Sequence, residues 1–177
     1  MNRRLRDGFE GATFAQSHIP LFITATDLYN GDQVVIHEGV IAEAVRASIS
    51  IPYIFPPYKI NGRYLVDGYL SDPLPVGVAI KEGADIIIAM GFESPHQEQV
   101  SSLMRYNYQI SSVTSNNLLK ANYAFHNLVH HSEIIPIIPE FKHRIKLFDT
   151  DKLPYVIEEG MRAAEEQLPF IKSLLVK

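Results

Sequence analysis

The stretch "PLPVGVAIKEGADIIIAMGF", Pro73–Phe92, decides the fold class. Val76 to Glu82 reads as a short helix, Gly83 is placed to cap its carboxyl end, and Asp85 to Met90 is a strand apolar throughout. A continuous apolar strand that follows a helix is typical of a parallel sheet with both faces covered. On the N-terminal side, "IPLFITATDL" (Ile19–Leu28) reads as a second buried strand, rich in β-branched residues and closed by polar Thr26-Asp27. Asn30-Gly31 signals a turn, and Gln33 to His37 a short strand after it. Val40–Ser50 has helical spacing, with Val40, Ala44 and Ala47 on one side and Pro52 helping to end it. A proline-rich segment follows, then a hairpin around Asn61-Gly62 and a short strand into Asp67.

On the C-terminal side, residues from about Val100 to His131 read as mostly helical, with the polar stretch Ser111–Asn117 expected to break them in two. "EIIPIIP" (Glu133–Pro139) reads as a short strand at a sheet edge, because of its prolines. The terminal segment is an amphipathic helix with Glu158 and Arg162 at i,i+4, and Pro169 is expected to kink or divide it. Strands alternating with helices predict an α/β layered domain.

Composition bounds what such a domain does. The 177 residues are 46% hydrophobic and 20% charged, enough for one globular domain or part of a larger one. Net charge is -4 with no basic block, which argues against a nucleic-acid partner. With no cysteine, a disulfide scaffold and a thiolate metal site are both excluded. The start "MNRRLRDGFEG" is basic but has no apolar run behind it, so a signal peptide is not expected, and no apolar run approaches the roughly 18 residues of a membrane span. The expectation is a soluble cytoplasmic protein without a transmembrane segment.

In α/β sheets functional groups collect at the carboxyl ends of strands. Asp67 and Asp27 both sit at such ends. A buried carboxylate costs several kcal/mol unless compensated, so its placement at Tyr64-Leu65-Val66-Asp67-Gly68 asks for a reason. One reason is a turn, with Asp67 accepting local N–H bonds and Gly68 at positive φ. Another is a general base whose pKa is raised by partial burial under Tyr64, Val66 and Leu70. Asp27 is read as the start of its following turn, with a second carboxylate beside Asp67 as the alternative. His126 and His130, at i,i+4 with His131 and Glu133 near, have a spacing that binds zinc. They lack the glutamate of a His-Glu-x-x-His motif, and the expectation is no metal and no cofactor.

Three segments in order, "ITATDLYNGDQVV", "AEAVRASISIPYIFPP" and "GRYLVDGYLSDPLPVGVAIKEGADIIIAM", resemble the C-terminal half of the patatin-like lipid acyl hydrolases. The resemblance is strongest from Ile19 to Met90. It implies a three-layer α/β/α fold, incomplete at its N-terminal side, over residues 1–177 with 1–18 as a lead-in. It also implies hydrolysis of acyl esters in lipids by a serine–aspartate dyad, with the aspartate at Asp67. Gly68 matches the motif's second residue, whereas Tyr69 replaces the small third one. The nucleophile motif G-x-S-x-G and any Gly-Gly pair are missing from this sequence. Ser48 and Ser50 have no flanking glycines and are read as capping the helix end and lining the site.

The expectation is therefore a portion of a serine esterase or phospholipase that holds the base but not the nucleophile. The alternative is a self-contained, non-catalytic α/β module. In either case an open sheet edge predicts a homo-oligomer or association with the missing N-terminal portion.

Overall fold

A computed structural model describes residues 5, 7–93, 101–129, 132–143, 145 and 149–176. The chain divides into two compact units, Met1–Val78 and Ala79–Lys177. Helices and strands are mixed along the chain, as the α/β reading expects.

The first unit is built on a four-stranded antiparallel sheet. Its strands are β1 (Ile23–Asp27), β2 (Gln33–Ile36), β3 (Tyr58–Ile60) and β4 (Arg63–Asp67), in the order β2-β1-β4-β3. The β3–β4 turn is Asn61-Gly62, with φ of 48° and 82°. Two positive φ values in a two-residue loop match the twist of the flanking strands, which is why Asn-Gly stands there. β1 is shorter than the ten-residue run read from the sequence. Pro20 has no N–H to offer a ladder, and Ile19 and Leu21 are exposed.

Strand alternation sorts the sheet into two faces. Ile23, Ala25, Ile36, Leu65, Tyr58 and Ile60 face the core with Phe14 and with helix α1 (Ile41–Ser48), whose Ile41, Ala44 and Ala47 pack against them. Ala25 and Ala47 are fully buried. Small residues at these positions let the helix lie close to the sheet.

The second unit holds a two-stranded parallel sheet, β5 (Ile86–Met90) with β6 (Glu133–Ile137), in register from Ile86↔Glu133 to Met90↔Ile137. The short helix α2 (Val76–Lys81) spans the boundary between the units, and Gly83 at φ 86° follows it. Parallel pairing of β5 is as expected, but burial on both faces is not. Ile87 and Ala89 are buried while Ile88 and Met90 are 53% and 45% exposed.

Helix α3 (Leu103–Val129) corrects the expectation of a break at Ser111–Asn117, because it runs unbroken through 27 residues. Ser111, Thr114 and Asn117 face solvent without breaking the helix, and the other polar residues there do not. Ser112, Ser115 and Asn116 are buried with Leu119, at i, i+3, i+4 and i+7, so these three form part of the helix's inward stripe. With neither glycine nor proline between Leu103 and Val129, nothing interrupts the backbone ladder. Helix α4 (Leu153–Leu175) is likewise continuous through Pro169. Its Arg162 pairs with Glu159, at i,i+3, rather than with Glu158. Among the described residues no helix is long and apolar enough to cross a membrane.

Candidate active site

Asp67 is the last residue of β4 and the N-cap of a single 3-10 turn, Gly68–Leu70. Its carboxylate Oδ1 accepts the Tyr69 N–H at 2.9 Å, which is the local bond that a turn reading expects. Gly68 does not fit that reading, because its φ is not positive. It is glycine for a steric reason. A Cβ at position 68 would lie 2.5 Å from the Thr24 carbonyl oxygen, so only glycine lets the turn sit down on β1.

Two further contacts hold the strand end. The Asp67 N–H donates to the Ser50 carbonyl at 3.1 Å, and the Asp67 carbonyl accepts the Thr26 hydroxyl at 2.8 Å. The register pairs Asp67 with Ala25 and Leu65 with Asp27. Alternation therefore puts Asp67 on the face of Leu65 and α1, and Tyr64 and Val66 on the other. The roof expected from Tyr64, Val66 and Leu70 is thus corrected. Tyr64 and Leu70 are both 40% exposed, and the side of the sheet that Asp67 shares is closed by α1 and the Ser50 loop. Asp67 is half-buried, and burial pushes its carboxyl above the ordinary aspartate value, against the opposing pull of the Tyr69 N–H. A carboxylate so placed is a stronger proton acceptor than one in water.

Asp27 lies on the strand next to Asp67, yet it does what a turn residue does. Its Oδ1 accepts the Tyr29 N–H at 3.0 Å, and its Oδ2 is 4.0 Å from Arg63 Nε. Ser50 is fully buried; its hydroxyl donates to the Arg46 carbonyl at 2.8 Å and accepts from Arg46 Nη1 at 2.5 Å. Both sides of that hydroxyl are engaged, so Ser50 is a structural residue. Ser48 is the half-buried last residue of α1. His126 is in the last turn of α3 and Glu133 opens β6, while His130 and His131 lie outside the described residues.

Three residues of this site were not singled out in the sequence. Thr26 and Ser71 meet across 45 positions, a separation that no local pattern reveals. Arg46 is the third: although it is only 5% exposed, its charge reads as a solvent-facing helix position. Its guanidinium bonds Ser50 and the Pro56 carbonyl and lies 5.7 Å from the Phe55 ring centroid and 5.5 Å from that of Tyr58. The signal that marks it is its place on the same helical side as Ala42, next to a proline-rich, aromatic segment.

The geometry at this strand end is a half-buried aspartate followed at once by a sterically required glycine. Residues 1–80 match the family model of the patatin-like phospholipases. It is 38% identical over 86 residues, 49% of its length, to an uncharacterized NTE family protein of Mycobacterium tuberculosis, covering 24% of that protein. A second uncharacterized NTE family protein of the same organism is 43% identical over 77 residues, 42% of this chain and 13% of that one. A lysophospholipase of Meyerozyma guilliermondii is 36% identical over 69 residues, 39% of this chain and 5% of that protein. The matched segments thus span about a quarter of the first relative and less of the other two.

Proposed function

We propose that this chain supplies the aspartate of a serine–aspartate dyad to a hydrolase of lipid acyl esters. Asp67 is the base, and the serine and oxyanion hole come from sequence outside these residues. The observation that supports this most is the half-buried Asp67 carboxyl at a strand end, held above its ordinary pKa on a turn that only glycine can follow. The family match of residues 1–80 and the lysophospholipase relative support a lipid acyl ester as the substrate class.

In this reading Asp67 takes the proton of the serine hydroxyl as its oxygen attacks the ester carbonyl. The alcohol leaves with that proton, and an acyl-enzyme remains. A water, deprotonated by the same carboxylate, then attacks the acyl carbonyl; the serine oxygen leaves and takes that proton back, and the fatty acid is released. Only protons and an acyl group move, so no cofactor is proposed. The site of action is proposed to be the cytoplasm.

The test has two arms. The 177-residue chain alone is expected to give no turnover of p-nitrophenyl butyrate, since a dyad base without its nucleophile and oxyanion hole lacks contributions of at least ~100-fold each. The reading frame extended upstream through a G-x-S-x-G segment is expected to hydrolyse lysophospholipid, and Asp67→Asn to reduce that at least ~100-fold. Full activity in the extended Asp67→Asn protein overturns the reading. Turnover by the chain alone that Asp67→Ala removes would place the nucleophile within it, with Ser48 first to be examined.

A second reading, a non-catalytic module that works through contacts, is favoured by apolar exposure in the second unit. Ile88 on β5 and Ile157 and Met161 on α4 are 53%, 61% and 59% exposed.

A further inference from the structure

We propose that Thr26 is a positioning residue for Asp67. Its buried hydroxyl, joined to Ser71, pins the whole Asp67–Ser71 turn to β1 and so sets how deep the Asp67 carboxyl lies. This rests on reading Asp67 as the base.

Thr26 is 5% exposed, and its Oγ1 is a junction. It donates to the Asp67 carbonyl at 2.8 Å, lies 2.8 Å from Ser71 Oγ, and accepts the Ser71 N–H at 3.1 Å. Ser71 Oγ reaches back to the Gly68 carbonyl at 3.3 Å. The first and last residues of the turn are thus tied to one side chain.

Thr24, two residues earlier and on the same face of β1, makes the other contact, its carbonyl lying where a Cβ of residue 68 would be. The turn therefore rests on β1 at two points, a backbone oxygen under Gly68 and a hydroxyl under Ser71. The Tyr69 N–H that bonds the Asp67 carboxylate lies between them. Any shift of the tied ends moves that donor, and with it the carboxylate.

Valine has almost the same shape as threonine and suits a strand equally well. It would leave the Ser71 N–H and the Asp67 carbonyl without this partner, in a site water enters poorly. Shape alone therefore does not explain threonine at position 26. The charged groups on the elements around the turn are Asp27 on β1, Arg63 on β4, Glu43 and Arg46 on α1 and Asp72 just after the turn. Substitution at position 26 leaves all of them in place.

The experiment is a carbon-detected NMR titration of the 177-residue chain, with the Asp67 carboxyl assigned by its loss in Asp67→Asn. Hydrogen exchange of the Ser71 amide is read alongside. Thr26→Val is expected to lower the Asp67 midpoint towards the ordinary aspartate value and to speed Ser71 exchange about tenfold, the loss of one hydrogen bond. Thr26→Ser, which restores the hydroxyl, is expected to leave both at wild-type values.

A Thr26→Val chain that exchanges faster at Ser71 while the Asp67 midpoint stays put would overturn the proposal, because Thr26 would then only hold the fold. Should Thr26→Val fail to fold, Ser71→Ala removes part of the junction from its more accessible side. The midpoint should then fall by less, and an unmoved midpoint again overturns the proposal. The dyad reading is judged separately, by hydrolysis in the upstream-extended protein. An active Asp67→Asn enzyme sinks the dyad and leaves the titration result standing.

Discussion

Ionising Asp67 is harder in the folded chain than in the unfolded one, because burial outweighs the Tyr69 N–H that favours the charged form. The sign of the linkage follows. A carboxyl with a raised folded pKa contributes stability below its unfolded value, and that contribution is lost as pH rises through the folded value. At neutral pH the charged form is a net burden. Asp67→Asn keeps an acceptor for the Tyr69 N–H and removes the charge. It is expected to melt at a higher temperature than the wild type at pH 7, the gain vanishing as pH falls below the ordinary value of 3.8. Equal melting temperatures at pH 7 would show that the charge is not strained. On the proposed dyad reading, the substitution that stabilises the fold is also the one expected to reduce hydrolysis, a conflict common at catalytic groups. The place of Asp67 at a strand end was legible in the sequence because an acid following three apolar strand residues breaks the local pattern. Thr26 was not, because a threonine in a strand breaks no pattern and its partners are 41 and 45 residues away.

At the level of elements, α1 does more than cover the sheet. Arg46 fastens the end of the helix to the Ser50 hydroxyl, and the Ser50 carbonyl accepts the Asp67 N–H. Arg46→Ala would strip the aliphatic stem from the Phe55 and Tyr58 rings and leave the Pro56 carbonyl without its guanidinium donor. A loss of about 2–4 kcal/mol is expected from packing, one charged hydrogen bond and cation–π contact together, to be read from urea unfolding. A loss below about 0.5 kcal/mol, the range of ordinary surface positions, would show that the loop holds itself. Glycine-bearing turns and β-branched runs made the strands of the first unit readable. The single span of α3 was not legible because a polar stretch suggests a break, whereas Ser112, Ser115 and Asn116 continue the helix and face inward. Periodicity marks which residues share a side of a helix; it does not say what that side packs against.

For the molecule as a whole, the exposed apolar residues matter most. Ile88 and Met90 on β5 and Ile157, Met161 and Leu175 on α4 are each 45% exposed or more. Apolar side chains grouped on one strand face and one helix are characteristic of surfaces that associate. Sedimentation equilibrium at micromolar concentration is expected to find a homo-oligomer, most simply a two-fold dimer burying ~1,200 Å² or more. A single monomeric species over the whole concentration range would argue that these residues are tolerated in water. Ile88→Lys, on the exposed face, is expected to shift the distribution towards monomer without loss of helix content. The α/β class and the parallel pairing of β5 were legible because a run such as Ile86-Ile87-Ile88-Ala89-Met90 suits little else. Which of its faces would be covered was not, since all five side chains are apolar.

The pairing of β5 with β6 also bears on how the chain leaves the ribosome. The hairpin at Asn61-Gly62 closes between neighbours, and such local pairs form in ~1–10 μs. β5 must instead wait for a partner encoded beyond the 27-residue α3. At the usual ~5–20 residues per second of synthesis, that leaves Ile86–Met90 unpaired for seconds, far longer than any local folding event. During that interval a bare run of three isoleucines, an alanine and a methionine is the kind of segment that holding chaperones bind and that neighbouring nascent chains stick to. The yield of native protein in a cell should therefore depend on translation speed through α3 as much as on the final stability of the sheet.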